Sequence, residues 1–175
     1  MRSLALVLAL AAGVPGLVLA HGDGKHPAKR AALSKEVHAW GREGDPAKAT
    51  RTIAVRMADT MRFEPDRVVV REGDTVTFAV ANGGAQLHEM VIGTEDELMK
   101  HAELMKKHPG MEHDEPYMAH VAPGKQGTIT WTFTRAGTFM YGCLIPGHWD
   151  AGMKGTVVVE PRKRTRSTAT QEPAK

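Results

Sequence analysis

The segment "YGCLIPGHWDAGMKG", residues 141–155, places the only cysteine of the chain, Cys143, five residues before His148 and ten before Met153. Thiolate, imidazole and thioether are ligands for a soft, late first-row metal. Two imidazoles and one thiolate in a trigonal set, with a weak methionine above, form a known copper arrangement. The segment supplies one side of such a site, so the second imidazole has to come from another strand, and folding itself then builds the pocket. His88 meets that requirement. It follows the turn signal Asn82-Gly83-Gly84 and opens the apolar run "HEMVIG". Cu(I) and Cu(II) prefer different coordination, and a rigid intermediate cage reduces the rearrangement when an electron moves.

Each residue also has an ordinary reading. A lone cysteine acts as a small buried hydrophobe, a methionine fills a gap, and a histidine satisfies a turn or a core hydrogen bond. What favours the metal is their order in one short span, with Pro-Gly-His and Gly-Met-Lys-Gly following the cysteine.

The elements that must hold these residues are strands. Ile53, Val55 and Met57 alternate in "RTIAVRM", and Val76, Phe78 and Val80 in "TVTFAVA"; Ile129, Trp131 and Phe133 do so in "GTITWTF", and Phe139, Tyr141 and Cys143 in "GTFMYGC". "GTVVVE" closes the set, and Gly73-Asp74 marks a further turn. The pattern predicts an all-β domain, an antiparallel sandwich or barrel, over residues 51–160. "TEDELMKHAELMKKH" breaks the pattern: Thr94 with Glu97 is a capping-box signature and Pro109-Gly110 a stop, which places a helical insertion within 94–123.

The ends read differently. "MRSLALVLALAAGVPGLVLA", residues 1–20, has a basic start, an apolar run and a small terminal residue, the pattern of a secretory signal cleaved after Ala20. Export implies an oxidising compartment, where a single cysteine has no partner for an internal bridge. Residues 21–50 lack a sustained apolar stripe and are expected to be a flexible, histidine-containing arm with one short helix near Ala31 to Trp40. The chain has 23 Lys+Arg against 20 Asp+Glu, a net of +3. Removal of Arg2 with the leader leaves +2, and the tail 161–175 holds Arg162, Lys163, Arg164, Arg166 and Lys175 against Glu172, so the body carries −2. The basic character is partly a property of a solvated, disordered tail; export argues against nucleic acid, and removal of the leader against a stable membrane association.

"MRFEPDRVVVREGDTVTFAVANGG" leading to "LHEMVIG", with "YGCLIPGHWDAGMKGTVVV" at the carboxyl end, resembles the cupredoxins, small blue-copper proteins such as plastocyanin, azurin and auracyanin. The resemblance implies a Greek-key β-sandwich with copper at His88, Cys143, His148 and Met153, and a role for Asn82 in holding the ligand loop by hydrogen bonds. The HG-rich start, "RTIAVRMADTMRF" and "PGMEHDEPYMAHVAPG" further resemble the periplasmic CopI-type cupredoxins associated with copper tolerance.

Soft ligands exceed what one centre needs. Met99, Met105, Met111 and Met118 stand with His101, His108, His113 and His120 between Glu95 and Pro123. On the helix, His101, Met105 and His108 share one face, an arrangement able to hold a soft ion; Leu98, Ala102 and Met105 also share a face, which packing alone would explain. At the mature terminus the amine and imidazole of His21 form a natural chelate, with His26 and His38 within reach. A solubilising arm with incidental histidines accounts for them equally.

Three functions follow. The leading one is periplasmic copper binding through a mononuclear type 1 centre, acting in tolerance by sequestration, with copper ions as partner. The second is a diffusible electron carrier that meets a redox or copper-transfer partner transiently. The third is oxidation of Cu(I) at auxiliary residues. No nucleophile motif, phosphate-cradling loop or zinc-finger spacing points to another enzyme.

Overall fold

The computed structural model describes residues 32–107 and 115–162. The strands are β1 (Val37–His38), β2 (Gly41–Glu43), β3 (Arg51–Ala58), β4 (Arg62–Glu64), β5 (Arg67–Arg71), β6 (Thr75–Asn82), β7 (His88–Gly93), β8 (Met118–Val121), β9 (Gln126–Phe133), β10 (Gly137–Gly142) and β11 (Lys154–Glu160). One helix, α1 (Glu95–Lys107), joins β7 to β8. The strands form a six-stranded sheet in the order β1-β2-β9-β6-β3-β4 and a five-stranded sheet in the order β5-β11-β10-β7-β8.

The alternating residues meet between the sheets. Val55, Met57, Val76, Phe78, Val80, Ile129, Trp131 and Phe133 from one sheet pack against Val68, Val70, Met90, Ile92, Phe139, Tyr141, Val157 and Val159 from the other. The pairing is not wholly antiparallel as expected: β3 runs parallel to β6, and β5 parallel to β11. The chain leaves β3 through the β4 hairpin, visits the opposite sheet as β5, and returns as β6 beside β3. That crossover between sheets brings two strands together in the same direction.

All six residues of β7 are buried, because α1 covers the face that the sandwich core leaves open. Leu98 joins Val91, Met118 and Leu144 in a second apolar cluster, with Met99 and Ala102 packed on it. The capping box forms: the Thr94 amide and hydroxyl each donate to Glu97 Oε2 at 2.8 Å, and the Glu97 amide donates to Thr94 Oγ1 at 3.2 Å.

Two boundaries differ from the sequence reading. Residues 37–50 are not an arm, and no helix forms among the described residues before Trp40; β1 and β2 extend the first sheet along β9. Trp40 is fully buried and stacks on Trp131 with ring centroids 4.5 Å apart. These strands are too short to show a periodic stripe, so one aromatic anchor does the work of a pattern. The insertion likewise ends early, since Met118–Val121 is a strand paired antiparallel with β7. The leader 1–20, His21, His26 and the tail from residue 163 lie outside the described residues, as do His108, Met111 and His113. Among the described residues, no helix is long and apolar enough to cross a membrane.

Candidate metal centre

Cys143 directly follows β10, and His88 begins β7, the strand beside it. The loop after Cys143 closes on itself: the His148 amide donates to the Ile145 carbonyl, the Met153 amide to the His148 carbonyl and the Cys143 amide to the Met153 carbonyl, each at 3.0 Å. Gly147 and Gly152 turn the loop with φ of 87° and 100°, where a side chain would be strained. The sequence reading thus finds its three loop residues tied to one another through the backbone.

At the centre, His148 Nδ1 lies 3.2 Å from Cys143 Sγ and 3.3 Å from His88 Nδ1. Among the described residues, this is the one group of three or more His, Cys, Asp or Glu side chains whose ligand atoms all lie within 4.8 Å of one another. Nitrogen and sulfur ligands stand about 2.0–2.3 Å from a first-row ion, so three of them around one ion are about 3.5–4 Å apart. The donor set therefore fits a metal with little rearrangement. Met153 is fully buried in the same core.

Without an ion, burial favours the uncharged forms of the sulfur and imidazole groups. Burial pushes the Cys143 thiol up to about 12, the Glu89 and Ile145 amides opposing and the Glu89 carboxylate adding to the rise. Burial also lowers the pKa of His148, with His88 adding to the fall and the charges of Glu89 and Asp59 opposing it. His88 turns its other nitrogen, Nε2, to Asp59 Oδ1 at 3.0 Å. A carboxylate only accepts, so Nε2 carries the hydrogen and Nδ1 presents its lone pair to the centre.

Asn82, buried at the end of β6, fastens the approach to His88. Its Nδ2 donates to the Gln86 carbonyl at 2.7 Å and the Val121 carbonyl at 2.8 Å, and its Oδ1 accepts from the Gly84 amide at 2.8 Å. The loop is thereby fixed at both ends.

A family model described as copper binding proteins, plastocyanin/azurin family, matches residues 49–160. The chain belongs to this family of cupredoxins. This cupredoxin is 53% identical over 120 residues to the copper-resistant cuproprotein CopI of Rubrivivax gelatinosus, across 69% of this chain and 73% of that one. It is 34% identical over 155 residues to the CopI of Pseudomonas aeruginosa, across 70% of this chain and 83% of that one. Among solved structures, reduced auracyanin from Roseiflexus castenholzii superposes with a TM-score of 0.56 at 26% identity, covering 65% of this chain and 99% of that one. Auracyanin B gives 0.59 at 22% identity over 71% of this chain and 97% of that one, a likeness of fold.

Among the described residues, the surplus ligands of this cupredoxin lie apart from the Cys143 centre or serve in packing and ion pairs. Met118 is buried in the second cluster and Met99 packs on it, so both have apolar surroundings; Met105 is half-buried on the helix. His120 Nε2 lies 2.8 Å from Glu89 Oε2. His38 sits between Glu36 and Glu97, at 3.2 and 3.3 Å, and shares with His101 the wall of a cavity of about 290 Å³.

Sequence reasoning passed over Asp59 and Glu89. Glu89 carried a signal, being a charged residue inside the otherwise apolar "HEMVIG". Asp59 carried none, because it meets His88 only through the fold, across 29 positions.

Proposed function

We propose that the protein is an exported, periplasmic copper-binding cupredoxin that holds one copper at His88, Cys143 and His148, with Met153 as the weak fourth ligand, and protects the cell by sequestering copper. The observation that carries this reading is that His148 Nδ1 lies 3.2 Å from Cys143 Sγ and 3.3 Å from His88 Nδ1, with all three donors buried and within 4.8 Å of one another. A type 1 centre is the arrangement such a set supports, and copper supplies the reversible one-electron couple when bound. The tolerance role draws on the name that the relatives carry, copper-resistant cuproprotein. Further histidines and methionines, among them His38, His101 and Met105, offer weaker additional equivalents.

Deleting the gene and growing the cells on graded copper tests the role. Sensitivity that the intact gene reverses, and the Cys143→Ser gene does not, is the expected result; unchanged tolerance contradicts it. One observation favours a second reading, a diffusible electron carrier: His148 is 8% exposed beside exposed Pro146 and Gly147, so a single ligand edge reaches the surface. Electron exchange with a periplasmic partner faster than copper release would support that alternative.

A further inference from the structure

Two carboxylates that ligand assignment leaves unused flank the centre. Glu89 follows His88 in β7 and is fully buried. Its Oε1 accepts from the Leu144 amide, next to Cys143, at 2.7 Å, and Oε2 meets His120, its cross-strand partner on β8. Glu89 thus ties the strand carrying one ligand to the chain carrying another, 55 positions away. Asp59, in the turn after β3, meets His88 Nε2 through Oδ1 and also accepts from the amides of Ala85 at 2.8 Å and Gln86 at 3.3 Å.

Hydrogen bonding alone does not require charge at either position. A glutamine at 89 could accept the Leu144 amide and a neutral amide at 59 could accept from His88, whereas the Glu89 carboxylate, fully buried, is costly to desolvate. What the charge adds is a field at the metal position. Asp59 Oδ1 lies 3.0 Å from the ring of His88, and Glu89 Oε1 lies 2.7 Å from the amide next to Cys143, so each negative charge stands one group away from a ligand. A negative field stabilises the more highly charged of two oxidation states.

We propose that Asp59 and Glu89 are positioning residues that bias the copper centre towards Cu(II), Asp59 by fixing His88 with Nδ1 inward and Glu89 by anchoring the chain beside Cys143, each with its charge adjacent to a ligand. The inference rests on the copper reading above. Each charge is worth on the order of tenfold in the ratio of Cu(II) to Cu(I), given the screening usual in proteins.

Spectroelectrochemical titration of the copper-loaded protein tests this. Asp59→Asn and Glu89→Gln should each move the equilibrium about tenfold towards Cu(I), about 59 mV upward for one electron, with the visible charge-transfer band retained. Asp59→Glu should restore the original potential, and Glu103→Gln on the exposed helix surface should leave it unchanged. In the metal-free protein, nitrogen NMR should find His88 as the Nε2–H tautomer. Unchanged or lowered potentials with an intact band, or an Nδ1–H tautomer, would overturn the proposal. Should Glu89→Gln fail to fold, Asp59→Asn decides alone, since that side chain is 36% exposed. Absence of any charge-transfer band in the unmodified protein would instead defeat the copper reading itself.

Discussion

His88 and His148 are 60 positions apart in the chain, yet their Nδ1 atoms lie 3.3 Å from each other in the buried centre. Such proximity brings two nitrogens and, beside them, the Cys143 sulfur together as three converging donors. Apolar filling gives no reason for that convergence.

Metal binding should release a proton at neutral pH. The Cys143 thiol, pushed up to about 12 by burial, is protonated at pH 7, while His148, whose pKa burial lowers, is neutral there. Copper requires the thiolate, so about one proton leaves per ion bound, and apparent affinity rises about tenfold per pH unit between roughly 7 and 9. Proton release measured in weakly buffered solution checks this; none at pH 7 would mean that sulfur is not a ligand.

Asn82→Ala should weaken both fold and site. It strands the buried Val121 carbonyl and leaves the half-buried Gln86 carbonyl and Gly84 amide to water, a loss of about 1–3 kcal/mol. Because the freed loop leads into His88, copper should also dissociate faster. Urea denaturation and copper transfer to a chelator measure the two effects.

Trp40→Ala should cost about 3–5 kcal/mol, the range for deleting a buried tryptophan. Val37→Ala, at a side chain 67% exposed in the same short hairpin, should cost under about 0.5 kcal/mol. Equal small effects in thermal denaturation would return the segment to the status of an arm.

Helix α1 should add an acid-sensitive increment to stability. Burial would raise the pKa of Glu97, but hydrogen bonds from Thr94 outweigh it, aided by His38, and the folded value falls below 4.5. A carboxylate depressed on folding contributes stability above its unfolded pKa and loses it as pH falls through the folded value. The increment should therefore be present at pH 6 and reduced at pH 3. With Glu97 partly exposed, it should stay below about 1 kcal/mol, and Glu97→Gln should abolish its pH dependence. Thr94→Ala, which removes the cap itself, should cost about 1 kcal/mol at pH 7. Denaturant titrations at both pH values provide the comparison.

The strands β3, β6 and β9 were legible from apolar periodicity, β11 from its run of valines, and α1 from Thr94 and Glu97. The residues that converge at the centre were legible because Cys143 and His148 share one tight loop and His88 follows a turn. The Trp40 strands were not, since two and three residues carry no period. β8 was hidden among residues that read as surplus ligands, although Met118 and Val121 are both buried. Asp59 depends on a loop conformation that local sequence does not specify.

The most direct measurement is titration of the purified protein with Cu(II) while its visible absorption is followed. An intense sulfur-to-copper band should saturate at the first equivalent and vanish in Cys143→Ser. A band that survives this substitution, or none in the unmodified protein, would contradict copper binding at Cys143.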